Sequence, residues 1–314
     1  MPVLLRINSD KLSLMKSKIT AIFFTFFVLT GFSSQVFAQD LLDLLGEDEP
    51  VTNYTYATFK TTRIINGHSI ENPADGVLLF MISHRFGKLN SGAYDFFGLD
   101  QATIRLGLEY GIGDRLSIGI GRSSYQKAFD GFLKFKLLRQ SSGEKNMPVT
   151  ATWFSSMDLF SLKWQNTERK NYFTSRLSYV HQLMIARKFN DYLSIQITPT
   201  FIHKNLVSNT TDDNDTYAMG MGGRFKLTQR VSLNAEYFYL LPGSVSESFI
   251  NPLSLGFDIE TGGHVFQLHF TNAQPMFERG FITETRGKWK NGDIYFGFNI
   301  SRVFTLKKPA EFRE

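Results

Sequence analysis

The sequence predicts an all-β fold: an antiparallel, up-and-down transmembrane β-barrel of about twelve strands. Three observations predict it. First, from Gly76 onward, runs of roughly 9–14 residues alternate apolar with polar or small side chains, the period-two signature of strands with two unlike faces. Second, mean hydropathy is only −0.15 although the chain holds 31 Phe and 15% aromatic residues. No apolar run reaches the roughly 18 residues of a membrane helix candidate, and a barrel hides its hydrophobicity in alternation. Third, the connections between runs alternate between tight turns and longer polar loops, as in bacterial single-chain barrels.

Taken in order, residues 15–38 read MKSKITAIFFTFFVLTGFSSQVFA. Lys16 and Lys18 precede a short apolar stretch, Ile19–Phe32, and Val36-Phe37-Ala38 ends it with a cleavage-site pattern before Gln39. Residues 1–38 are therefore read as a secretory signal peptide, with Met15 a candidate true start. The absence of Cys excludes a lipoprotein anchor and a disulfide framework. Arg6, Lys11, Lys16 and Lys18 against Asp10 leave this segment at +3, so the following 276 residues keep about +2 of the formal +5. That is no electrostatic footprint for nucleic acid.

Residues 39–75 form an N-terminal arm. Gln39–Glu49 is acidic, a solvated tail or, over residues 39–54, a contact for a periplasmic protein. Thr58–Asn66 looks like a short strand. Counting it as a spanning strand would break even parity, so it is expected in the periplasmic mouth or inside the lumen as a plug.

The barrel is expected over residues 76–305, with residues 306–314 as a periplasmic tail. Its runs are Val77–Gly87, Ala102–Ile112, Leu116–Ser124, Gly131–Arg139, Val149–Leu162, Thr174–Phe189, Leu193–His203, Thr216–Leu227, Val231–Leu241, Leu253–Thr261, His264–Thr271 and Asp293–Thr305. Alternation is clean in most. Val231, Leu233, Ala235, Tyr237 and Tyr239 oppose Ser232, Asn234, Glu236 and Phe238, for example. Val77–Gly87 is apolar on both faces, so the pattern leaves its orientation open. The last run ends in Phe304, and so apolar a strand near a chain end suits barrel closure better than a soluble sheet edge. Tight turns fall at Gly113-Asp114, Asn190-Asp191, Thr228–Arg230 and Gly262-Gly263. Gln140–Pro148 should also be short but has nine residues. Lys88–Gln101, Tyr125–Asp130, Lys163–Phe173, Lys204–Asp215, Pro242–Pro252 and Asn272–Gly292 are the long, polar connections.

Arg105, Glu109, Lys134, Lys136, Arg224, Lys226, Glu236, Asp258 and Glu260 share the polar parity of their strands, which points them into the lumen. Two readings stand: a selectivity field for a passing solute, or a salt-bridge network packing a narrow barrel. Twelve strands lie between side-chain-filled small barrels and open porins. None of the six His stands at a metal-ligand spacing, so no metal and no cofactor are expected. No G-x-S-x-G motif selects a nucleophile, and Gly220-Met221-Gly222-Gly223 lacks the Lys of a phosphate loop. No catalytic residue is assigned, although a barrel-embedded hydrolase remains a third reading. Tyr110, Trp153, Tyr179, Tyr192, Phe225, Tyr237, Tyr239 and Phe304 fit interfacial aromatic girdles. Arg302, on the lipid parity, lies where it can snorkel.

The stretches FGLDQATIRLGLEYGIGDRLSIGIGRSS (97–124), FDGFLKFKLLRQ (129–140), RLSYVHQLMIARKFNDYLSIQITPTFIHKN (176–205), TGGHVFQLHFTNAQPM (261–276) and GFNISRVF (297–304) resemble an uncharacterised family of outer-membrane β-barrels in Bacteroidota, a domain of unknown function. The resemblance spans about Tyr56–Phe304. It implies the barrel and an outer-membrane site in contact with lipid, and no activity. The aromatic last strand also resembles those read by the barrel-assembly machinery. The functional expectation is a monomeric passive channel or transporter for small or amphipathic solutes. The alternative is a non-conducting barrel that acts as scaffold or partner of periplasmic proteins.

Overall fold

Period-two alternation closes into a wall of twelve antiparallel strands in the computed structural model, which describes residues 51–307 without 165, 169, 208–211 and 243–248. The signal segment expected over residues 1–38, the rest of the expected arm up to residue 50 and the tail from residue 308 lie outside the described residues. The strands in chain order are β1 (Thr52–Tyr54), β2 (Val77–Lys88), β3 (Ala102–Ile112), β4 (Leu116–Ser123), β5 (Phe129–Leu138), β6 (Ser141–Gly143) and β7 (Thr150–Leu159). They continue as β8 (Leu177–Lys188), β9 (Leu193–Lys204), β10 (Asp215–Lys226), β11 (Val231–Leu240), β12 (Leu253–Thr261), β13 (His264–Thr271) and β14 (Tyr295–Thr305). All but β1 and β6 belong to the barrel. Each pairs with its neighbours in sequence, and β14 pairs with β2 to close the ring, so no unpaired edge remains. Every anticipated run is a strand, and most ends shift by one to three residues.

The wall has the expected two faces. Outward residues such as Ile104, Leu106, Ile120, Leu233 and Leu268 remain 38–64% exposed. Inward partners such as Ser117, Lys134, Thr152 and Ser254 are fully buried. A soluble protein would not leave so broad an apolar belt to water; in a bilayer it faces lipid. Exposed aromatics gather near both rims, with Phe189, Tyr192 and Phe225 at the tight-turn end and Tyr217, Tyr239 and Phe129 at the long-loop end.

Three segments differ from expectation. Gln140–Pro148 is long because it carries β6, which pairs with β1 in the register Thr52↔Gly143 to Tyr54↔Ser141. Arg139 lies 4.0 Å over the Tyr54 ring beside this small sheet. Thr58–Asn66 is not a strand. Its only β feature is an isolated bridge, Arg63↔His68, because inside the lumen its backbone meets side chains of the wall rather than another strand. Asn272–Gly292 is not a solvated loop. It folds back into the barrel, and Ala273, Phe277, Phe281 and Ile282 are completely buried around a short helix, α1 (Glu278–Thr283).

The chain enters the barrel beside Gly111. A β-carbon there would overlap the carbonyl oxygens of Pro73 and Ala74, and Asp75 bridges Gly111 in parallel. Gly111→Ala is therefore expected to destabilise the fold by about 1–3 kcal/mol through overpacking. Heat-dependent loss of the folded band in gel electrophoresis checks this, with a lower midpoint expected.

Candidate functional site

The lumen holds two inserts, one from each end. From the tight-turn end, residues 61–69 form a bent hairpin. Ser69 N–H donates to the Thr62 carbonyl and Ile64 N–H to that of Gly67, both at 2.9 Å. Its tip, Ile65-Asn66-Gly67, closes on Glu236. The three consecutive backbone N–H groups donate to this carboxylate at 3.1, 2.8 and 3.1 Å. The wall completes the grip with polar side chains. Asn299 and Gln267 donate to the carbonyls of Ile65 and Ile64 at 2.9 Å each. Gln196 bonds the chain twice, to the His68 carbonyl and the Ile70 N–H. Arg85 donates to Asn66 Oδ1 at 2.6 Å. The apolar side of the hairpin, Phe59, Ile64 and Ile70, packs on inward Phe132, Phe154 and Met184.

From the long-loop end, Phe281 and Ile282 of α1 pack on inward Val180, Ile202, Ala218 and Phe238, with Phe281 edge-on to Phe238 at 5.2 Å. Arg279 is the polar anchor: it donates to Asp158 Oδ2 at 2.6 Å and to Gln126 Oε1 at 2.9 Å, and pairs with Glu284. Gln126 holds a left-handed φ of 52° to make this contact, a conformation uncommon for a residue with a side chain.

The two inserts meet head to head. Arg63 Nη1 of the hairpin lies 2.9 Å from Glu278 Oε1 of α1, and both side chains are under 5% exposed. His68 Nε2 is 3.5 Å from the same oxygen. Burial first, then Arg63, Lys134 and Arg105, hold its imidazole well below the usual range, so it is neutral at pH 7 and Arg63 is the ionic partner of Glu278.

The nine residues anticipated from parity fall into groups around these inserts. Arg105 pairs with Asp130, and Lys134 with Glu109 at 2.8 Å; Lys134 also donates to the Glu71 carbonyl at 2.6 Å. Arg224 donates to the carbonyls of Ala57 and Thr58 at 2.8 and 3.1 Å. Glu236 caps the hairpin tip, and Asp258 accepts from Gln267 at 2.8 Å. Glu260 pairs with Lys60 near the tight-turn rim. Lys136 and Lys226 are half-buried at that same end. Parity alone missed Arg85, Asp130, Asp158, Gln196, Gln267 and Asn299, although all stand on the inward face of their strands. It could not find Arg63, Glu278 or Arg279, which lie outside any strand. Asn66-Gly67 was a readable hairpin signal.

One Ser–His contact bears on hydrolysis. Ser155 Oγ and His181 Nδ1 are 3.0 Å apart between β7 and β8, on the outward face. No carboxylate or amide contacts His181 Nε2 among the described residues, so the orienting member of a triad is missing there.

The loop following α1 is pinned to β2 by Asp293, which accepts from Lys88 at 3.0 Å, Asn90 at 3.1 Å and the Lys288 N–H at 3.2 Å. The Lys88 and Asn90 hydrogen bonds, foremost, lower its pKa from 3.8 to about 2. A carboxylate depressed on folding contributes stability above its unfolded pKa and loses it as pH falls through the folded one. Loosening of residues 288–294 is therefore expected between about pH 4 and pH 2. Limited proteolysis by an acid-active protease checks this, and Asp293→Asn should show the same loosening already at neutral pH.

Taken together, the lipid-facing belt, closed wall and filled lumen define a membrane-spanning β-barrel with an internal plug. The chain belongs to the family of membrane-bound β-barrel domains DUF5777, which it matches over residues 59–304. No curated protein matches it in sequence. Among solved structures it is similar in architecture to the NanC porin, with 7% identity, TM-score 0.44, and 74% of this chain and 100% of the porin covered. An outer membrane channel from Pseudomonas putida F1 shows 12% identity, TM-score 0.44 and coverage of 74% and 97%. Outer membrane phospholipase A from Escherichia coli shows 12% identity, TM-score 0.41 and coverage of 74% and 91%. Overlaps this loose carry no argument about activity.

Proposed function

We propose that this protein is a gated channel of the bacterial outer membrane, held closed by its two inserts. The observation that carries the reading is their meeting at Arg63–Glu278, with open space on either side. A vestibule of about 510 Å³ lies at the long-loop end, lined in part by Trp164, Lys204 and Arg279. A cavity of about 420 Å³ lies at the tight-turn end. Short turns face the periplasm in bacterial barrels, so the hairpin is the periplasmic gate and α1 the outer one. Much of the hairpin's hold is side chain to backbone, which water can replace when the hairpin leaves. In an open state the polar wall that it vacates, including Arg105, Glu109, Lys134, Arg224, Glu236 and Asp258, becomes the selectivity surface for a small solute.

Planar-bilayer current is the test. The mature chain, Gln39–Glu314, is expected to show rare openings or none. Replacing residues 61–69 by a short Gly-Ser linker is expected to give stable current steps. A folded, hairpin-deleted barrel without current would overturn the channel reading.

A second reading, a scaffold for a periplasmic protein, is favoured by β1 and β6. This small sheet holds Thr52–Tyr54 against Ser141–Gly143, at the tight-turn end that this reading takes as the periplasmic mouth. Partner capture that depends on residues 39–54, by a barrel that stays silent after hairpin deletion, would favour it.

A further inference from the structure

The inward face of a membrane barrel is ordinarily polar. On three adjacent strands at the tight-turn end it is not. In register, Val303 of β14 stands opposite Leu79 of β2, and Ser301 opposite Met81. Val265 of β13 stands opposite Ser301 from the other side. Val77 extends the patch toward the rim. This is why the β2 segment reads apolar on both faces: one face meets lipid and the other lines the lumen mouth. Phe59 of the N-terminal insert lies across from it, and the space between is the cavity of about 420 Å³. That volume falls within the roughly 300–1,000 Å³ of small-molecule sites, which are mostly apolar with a few placed polar groups. Val303 is 49% exposed although its strand position faces inward, so the rim end of this apolar surface is uncovered, while Leu79 and Met81 deeper in are buried.

The polar edge carries Lys60, Glu260 and Glu71. Lys60 is already engaged, paired with Glu260 and donating to the Gln229 carbonyl at 2.9 Å. Glu71 accepts one backbone N–H, from Phe59 at 3.2 Å. Among the described residues no Lys or Arg lies within ion-pair distance of its carboxylate. Lys134 reaches the Glu71 backbone carbonyl but is paired with Glu109, and Lys136 and Arg224 are the other basic groups around Glu71; none of the three lines the cavity. The side chains that line the cavity thus include two carboxylates, Glu71 and Glu260, against one lysine, Lys60, with His264 beside them.

We infer that this cavity binds a single-chain amphiphile with a hydrocarbon tail and a protonated amine head. The tail lies against Val77, Leu79, Val265 and Val303, and the amine donates to Glu71. The inference deepens the gated-channel reading by naming the solute class, and rests on that reading only for transport; binding itself needs no opening.

Because the chain has no Cys, Val303→Cys supplies a unique reporter. In nanodiscs holding the mature chain, the rate of its modification by a water-soluble maleimide is measured with dodecylamine and with dodecanoate. Saturating dodecylamine is expected to slow labelling about tenfold, and dodecanoate much less. Glu71→Gln should raise the dodecylamine concentration needed by about tenfold, the loss of one charge-assisted hydrogen bond. Val265→Asn, which sets an uncharged polar group against the tail, should weaken protection even if Glu71→Gln does not fold. Absent protection by dodecylamine, or equal protection by dodecanoate, would overturn the inference. Protection in a barrel that stays silent after hairpin deletion would keep the site and remove the channel. Current without protection would do the reverse.

Discussion

Glu236→Ala is expected to turn a closed barrel into one that conducts. Among the described residues its carboxylate is the one acceptor for the N–H groups of Ile65, Asn66 and Gly67 at the tip of the hairpin that enters from the tight-turn end. Hydrogen bonds to a charged acceptor are worth more than neutral ones, and a buried donor left without a partner costs about 1–3 kcal/mol. Three such donors place the loss at about 3 kcal/mol or more for the inserted hairpin. That shifts the ratio of inserted to released hairpin by roughly a hundredfold or more toward release. The wall does not need Glu236 to form, since β11 pairs through its backbone with β10 over Ser232–Leu240 and with β12 over Val231–Tyr237. The expected result is a folded variant with frequent current steps where the wild-type chain is nearly silent. Glu236→Gln, which keeps one accepting oxygen, should fall between the two. A folded Glu236→Ala barrel as quiet as wild type would mean that the apolar packing of Phe59, Ile64 and Ile70 holds the plug alone.

Arg63→Ala is expected to be the most destabilising single change in the lumen outside the wall. It leaves Glu278 buried without its ionic partner, and His68, held neutral, offers no replacement charge. Removing one member of a buried pair costs about 3–5 kcal/mol, whereas replacing both with apolar residues is often neutral or stabilising. Glu278→Ala should therefore resemble Arg63→Ala, and Arg63→Met with Glu278→Met should recover most of the loss. The measurement is the midpoint of heat-dependent unfolding for the wild type and these three variants. A wild-type midpoint for Arg63→Ala would show that the two inserts are not coupled through this pair. Recovery in the double variant would show that the contact matters for the match of its partners more than for its charges.

The barrel was legible because a strand's two faces are written locally. Leu116, Ile118 and Ile120 against Ser117, Gly119 and Gly121 state which side meets lipid without reference to any other segment. The turns at Gly113-Asp114 and Gly262-Gly263 state where the chain reverses, and the even count of runs fits a closed single-chain barrel. Within β2 this reading failed to orient the strand, because Leu79 and Met81 are apolar for a reason that lies on β13, β14 and the insert rather than in the strand itself.

Parity alone determined that Arg105, Glu109, Lys134, Arg224, Glu236 and Asp258 lie on the inward side. Only the tertiary structure decided what they do there. Their partners come from other strands or from a segment without periodicity: Lys134 reaches Glu71, Arg224 the carbonyls of Ala57 and Thr58, and Glu236 the tip at Asn66. The loop after Thr271 reads as polar and long, yet Phe277, Phe281 and Ile282 draw it into the barrel, because inside the ring they meet Phe238 and Ile202 rather than water. Arg63 and Glu278 stand 215 residues apart in the chain, and no local pattern can encode so distant a contact. Alternation is a property of one strand and survives in the sequence; the filling of the lumen depends on register across twelve strands and on two inserts, and exists only once the ring is closed.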